Sequence, residues 1–155
     1  MIFWSVRWKW RFWVSFYRLA KEKDSELKSP CLLLIRDTDN HCFGAYLSES
    51  PKLSDKCYGC GETFVFTLNP TQKTYKWSAK CEKNFFIWGS TDSISVGVDD
   101  GKFALYLDSA LNQGRSQAVS TFENEPLTTE NGDFIALQVE VWTFRWNIFT
   151  TSKIN

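Results

Sequence analysis

The sequence predicts a mostly β (α+β) domain, a two-sheet antiparallel β-sandwich with a few short flanking helices. Three observations carry that prediction. Aromatic side chains make up 17% of the chain, with eight Trp, thirteen Phe and five Tyr, and they suit a pleated, half-buried surface better than a helical bundle. From Cys31 onward, short apolar runs recur between polar or glycine-bearing turns, as in a sandwich. The length, 155 residues, fits one domain rather than two. A chain of that size buries about two-thirds of its unfolded surface and needs no metal or disulfide staple.

The opening "IFWSVRWKWRFWVSF" alternates with period two, Trp4, Val6, Trp8, Trp10, Phe12, Val14 and Phe16 opposing Ser5, Arg7, Lys9, Arg11 and Ser15. Such alternation predicts a half-buried strand, although Arg7, Arg11 and Arg18 would also share one helical face. "FYRLAKEKDSELK" predicts a short helix ended by Ser29-Pro30. "CLLLIR" and "CFGAYLSE" flank the polar "DTDNH" and read as a hairpin. "ETFVFTL" runs to a turn at Asn69-Pro70, and "TYKWS", "NFFIWGS" and "SISVGV" follow as strands. "DDGK" turns the chain into "KFALYLD". "FIALQVEVWTF" is a long strand, with Phe134, Ala136, Gln138, Glu140, Trp142 and Phe144 expected inward on one parity. Ile135, Leu137, Val139 and Val141 lie on the other, so both faces are expected to be at least partly covered.

Lys plus Arg equals Asp plus Glu, 18 each, so no net field draws the whole molecule to nucleic acid. Residues 1–21 nevertheless carry Arg7, Lys9, Arg11, Arg18 and Lys21 and no acidic side chain. Interleaved aromatics and cations suit lipid headgroups or single strands, so membrane-surface contact through residues 3–18 stands beside the plain strand reading; nucleic acid is disfavoured. No secretory signal is expected, and no apolar run reaches the length that crosses a bilayer. The five cysteines, an odd and irregularly spaced set, are expected to be mostly free thiols in a reducing compartment.

Little in the sequence announces catalysis. Cys57 and Cys60 form a C-x-x-C, but a strand opening follows instead of the helix N-terminus that activates such thiols. No second C-x-x-C or C-x-x-H completes a zinc set. Gly59-Cys60-Gly61 mimics a phosphate loop in the wrong order, loop then strand. The single histidine, His41, sits in a polar turn and is expected to be solvated. Asp37, Asp39 and Asn40 resemble part of a calcium loop without its glycine and distal glutamate, so an Asx-stabilised turn is expected. Asp99-Asp100-Gly101 is likewise a turn. Glu62 and Glu140 lie beside or inside apolar runs, where a carboxylate requires hydrogen-bond donors.

These segments resemble the TLDc domain family, the oxidation-resistance protein and nuclear receptor coactivator 7 group, over roughly Tyr17 to Phe144. The matching pieces come in the family's order: Phe16-Tyr17-Arg18, "SPCLLLIRDTDNHCFGAYLSE", "KLSDKCYGCGETFVFTL", "YKWS", "NFFIWGS", "KFALYLDSALNQGRSQAVSTFENEPL" and "DFIALQVEVWTF". The resemblance implies a two-sheet sandwich with no established enzymatic reaction. It also implies protection against oxidative stress, and binding to the vacuolar proton-pumping ATPase that regulates its assembly. The family pattern reads Y-G-T-G-E-T where this chain has Tyr58 to Thr63, so Cys60 replaces a hydroxyl residue and a C-x-x-C site is not a family feature. The family's opening strand and its H-G-x-S-L approach to the first helix are not visible, and "IFWSVRWKWRFWVS" stands in their place. Val119 occupies a position where the family often has cysteine.

The expected organisation is an atypical aromatic and basic segment over 1–15, a TLDc-like domain over 16–145 and a tail over 146–155. The expected function is a monomeric, non-enzymatic regulatory binding module with vacuolar ATPase subunits as partners, no small-molecule substrate and no cofactor or metal. Its expected location is the cytoplasm, including endolysosomal membranes reached through the ATPase, with nuclear or mitochondrial pools open. By motif, Gly59, Gly61, Glu62 and Thr63 shape one loop and Asp108, Gly114, Arg115 and Ser116 another, each meeting a partner or bracing the fold. The alternatives are a thiol-based peroxide-reducing enzyme, or membrane or nucleic-acid binding through the N-terminal strip.

Overall fold

The computed structural model describes Ile2–Trp8 and residues 29–145. The expected helix at Phe16–Lys28, the rest of the N-terminal strip and the tail over 146–155 lie outside these residues. Ten strands are described: β1 (Ile2–Trp8), β2 (Cys31–Asp37), β3 (Cys42–Leu47), β4 (Phe64–Asn69), β5 (Lys73–Lys76), β6 (Ile87–Gly89), β7 (Ser93–Asp99), β8 (Lys102–Asp108), β9 (Gln113–Arg115) and β10 (Asp133–Arg145). All pair antiparallel, and no helix occurs among the described residues.

The expected two sheets are joined into a single one, ordered β5-β4-β3-β2-β10-β9-β8-β7-β6, with β1 also on β10. The physical reason is the length of β10. Its 13 residues pair with β2 from Ala136 to Thr143, while β9 takes Asp133–Ile135 and β1 takes Val139–Arg145. One strand thus holds two arms of the sheet, and both arms feed one interior. Leu33, Ile35, Phe43 and Val65 from β2, β3 and β4 share a buried cluster with Ile94, Val96, Leu105 and Leu107 from β7 and β8. Phe43 meets Phe134 edge-on at 4.9 Å, which locks β3 against β10. Each such fully buried side chain contributes roughly 1.5–3 kcal/mol.

β10 corrects the single-parity expectation. Phe134 and Ala136 are buried as expected, but the register shifts between Ala136 and Gln138. A bulge of one residue reverses the faces beyond it. Val139 therefore turns inward at 7% exposure, and Gln138 and Glu140 move off the core face. Glu140 accepts hydrogen bonds from the Gln138 amide and from Trp142 Nε1, the latter at 3.1 Å. These two donors come from its own strand and meet the need of a carboxylate placed in an apolar run.

The turns follow their local chemistry. The chain bends at a cis Asn69-Pro70 bond. Between β7 and β8, Asp100 and Gly101 both take positive φ (47° and 79°), the two-residue turn whose twist matches an antiparallel hairpin. The β2–β3 turn is an Asx turn: Asp37 Oδ1 accepts the backbone N–H of Asp39 at 3.0 Å and of His41 at 2.8 Å. His41 is less solvated than expected, its side chain 23% exposed. Its Nδ1 lies 3.2 Å from Asp37 Oδ2, which also accepts the Thr128 hydroxyl at 2.6 Å. Asp37, 1% exposed, thus ties the first hairpin to the segment after β9.

Candidate functional site

The first motif loop, Gly59 to Thr63, is held from within. Thr63 is fully buried, and its hydroxyl donates to Ser48 Oγ at 2.9 Å. The same Ser48 oxygen accepts the Cys60 backbone N–H at 2.9 Å. Tyr58 exchanges two backbone hydrogen bonds with Ile87 of β6, at 2.8 and 3.0 Å, which pins the loop to the other arm. Lys52 lies over the Tyr58 ring at 4.7 Å and its backbone bonds the phenol oxygen, while burial pushes that phenol far above its ordinary range. Gly61 has no room for a side chain, because a Cβ there would stand 2.3 Å from Trp77 Cε3. Glu62, by contrast, projects into solvent.

The second loop is braced in the same manner. Asp108 Oδ1 accepts the N–H groups of Asn112 (2.9 Å) and Gln113 (3.1 Å), closing the turn into β9. A Cβ on Gly114 would stand 2.2 Å from Phe134 Cζ and 2.4 Å from the Tyr106 carbonyl oxygen. Ser116 is fully buried, donating to the Ala104 carbonyl at 2.6 Å and accepting the Leu127 N–H at 2.9 Å. Arg115 is exposed and forms a two-point ion pair with Asp133 through Nε and Nη2. Each partner favours the other's charged form, so the guanidinium is raised and the carboxyl lowered.

The structure does not bring the two motif loops into one site. Asp108, Gly114 and Arg115 line an open groove of about 820 Å³ along β8, β9 and the start of β10, and none of Gly59, Gly61, Glu62 and Thr63 does. Phe103, Tyr106, Phe134 and Ile135 supply its apolar wall, and Thr38 and Asp39 close one side from the β2–β3 turn. Sequence reading missed these wall residues. On the apolar odd parity of β10, expected to be at least partly covered, Ile135 and Leu137 are 50% and 57% exposed while Val139 is buried; Phe103 and Tyr106 lie in β8 and Phe134 on the opposite parity.

A second braced cluster lies elsewhere. Lys83 Nζ bridges Asp99 and Asp100, and Asp99 Oδ2 also accepts the Ser120 N–H (2.8 Å) and hydroxyl (2.6 Å). Lys83 and then Ser120 pull the Asp99 carboxyl down from 3.8 to about 2. A depressed carboxylate stabilises the fold above its unfolded pKa and loses that contribution as pH falls through its folded value. This cluster therefore holds through mild acid and weakens only between 3.8 and about 2.

None of the five cysteines is joined in a disulfide. Burial pushes the Cys57 thiol up, the opposite of what an activated nucleophile requires. The group of possible metal ligands found among the described residues is Asp37, Asp39 and His41, and no cysteine belongs to it. Both Asp37 oxygens already accept hydrogen bonds, so this group works as a structural clamp.

Fold and site together define an antiparallel sheet domain with two internally braced loops, one of which lines an open, aromatic-walled groove. The TLDc domain model matches residues 14–145, and the chain belongs to the TLDc domain family. It is 47% identical over 122 residues to nuclear receptor coactivator 7 of Mus musculus, an alignment covering 79% of this chain and 13% of that protein. It is 44% identical over 118 residues to oxidation resistance protein 1 of Homo sapiens, covering 76% of this chain and 13% of that protein. The chain thus spans about 13% of the length of these relatives. No helix among the described residues is long and apolar enough to cross a membrane.

Proposed function

We propose that this domain is a non-enzymatic regulatory binding module that protects cells against oxidative stress and binds the vacuolar proton-pumping ATPase to regulate its assembly. The observation that carries the reading is the TLDc match over residues 14–145, joined to a relative named oxidation resistance protein 1. The geometry supports binding over chemistry. The motif glycines and Ser116 are consumed by packing, leaving exposed Glu62 and Arg115 as the members of the two loops best placed to meet a partner. In this reading the domain acts in the cytoplasm and reaches endolysosomal membranes through the pump.

The competing reading is direct reduction of peroxide by a thiol. It is tested by replacing the four cysteines outside the core together, C42S/C57S/C60S/C81S, and leaving buried Cys31 in place. Cells carrying this variant and challenged with hydrogen peroxide are expected to survive as well as those carrying the native chain. Loss of protection by a variant that keeps its thermal midpoint would overturn the non-enzymatic reading.

A further inference from the structure

Among the described residues, the groove along β8, β9 and β10 is lined by more carboxylates than cations, over an apolar wall. Of its three lining carboxylates, Asp133 is matched by Arg115. Asp108 is held by neutral backbone N–H groups, and neither it nor Asp39 has a lysine or arginine partner among the described residues. Phe103 and Tyr106 stand 5.5 Å apart beside these carboxylates. Aromatic rings next to unpaired carboxylates favour a cation whose stem is apolar. The same charge repels phosphate groups, which disfavours nucleic acid and anionic lipid.

The size and continuity of the surface point to a chain segment and not a single small cation. A volume of about 820 Å³ is near the upper end for ligand clefts. The apolar surface also runs on along β10, through half-exposed Ile135 to Leu137. We propose that this groove docks an extended peptide segment of a partner protein, one that presents a lysine or arginine side chain between apolar neighbours. The cation sits between Asp39 and Asp108, and its neighbours cover the aromatic wall and Ile135. This assignment rests on the reading of the domain as a protein-binding module and adds the surface and the chemistry of what it binds.

The test uses the full chain and fluorescent decapeptides with a central arginine flanked by leucine and phenylalanine, against the same peptides with glutamate in place of arginine. Fluorescence anisotropy is expected to show the arginine peptides binding at least about tenfold more tightly. D39K and I135E should each weaken them by about tenfold without moving the thermal midpoint, and D39K should improve the glutamate peptides. Backbone amide shift changes should cluster at 38–39, 101–117 and 133–137. Equal binding of both peptide sets, shift changes elsewhere, or self-association of the chain abolished by I135E would each overturn the proposal. ATPase capture is measured separately on the same protein. Arginine-peptide binding without ATPase capture would sink only the partner assignment, whereas ATPase capture with no peptide binding would sink only the groove.

Discussion

Gly44→Ala is expected to destabilise the domain by about 3 kcal/mol, the upper end for overpacking a closed interior. Gly44 lies in β3 between β2 and β4, opposite Leu34 and Phe66. A Cβ there would stand 1.9 Å from the Leu33 carbonyl oxygen and 3.1 Å from Phe66 Cζ. The first contact is backbone in a fully paired strand, so relief requires moving β2 and not rotating a side chain. Gly101→Ala provides the comparison. It has φ of +79° but nothing within 4 Å of a Cβ, so only backbone strain of about 1 kcal/mol is expected. Urea melts of both variants check the difference, and equal losses would mean that the approach of β2 to β3 is looser than described.

Asp37→Ala carries the second large effect, a loss of about 3 kcal/mol. The side chain is almost completely buried, and the substitution strips acceptors from the Asp39 and His41 N–H groups, the His41 ring and the Thr128 hydroxyl. These bonds are part-buried, so the donors left behind regain only part of their hydration, which makes removal of the shared acceptor more damaging than a missing surface bond. Thr128→Val removes only one of the four and is expected to cost about 1 kcal/mol. Amide exchange should show the β2–β3 turn and the segment around Thr128 opening together in Asp37→Ala. Independent opening of the two segments would argue against the clamp.

Much of this architecture is written in local patterns. The β2–β3 hairpin, the end of β4 at Asn69-Pro70 and the Asp100-Gly101 turn all follow from alternation bounded by residues that suit those turns. β9 is not legible, because Gln113-Gly114-Arg115 has no apolar alternation and exists through its pairing with β8 and β10. The β10 bulge is invisible for a related reason: one extra residue leaves the apolar pattern unchanged yet puts Val139 inward and Gln138 and Glu140 off the core face. Site residues divide in the same way. The motifs locate Gly61 and Gly114, but the rings that fill the space a side chain would need, Trp77 and Phe134, come from other strands or loops. His41 is set by a buried aspartate four residues back, which its polar neighbours conceal. The groove draws on the β2–β3 turn, β8, β9 and β10, and only the folded chain puts them side by side.

Direct binding of the purified 155-residue chain to the purified soluble sector of the vacuolar proton-pumping ATPase, followed by calorimetric titration, tests the binding-module reading most directly. Saturable association is predicted, undiminished when the four non-core cysteines are replaced by serine. No detectable heat or co-migration with a correctly folded chain, together with catalytic turnover of peroxide by the chain alone, would contradict it.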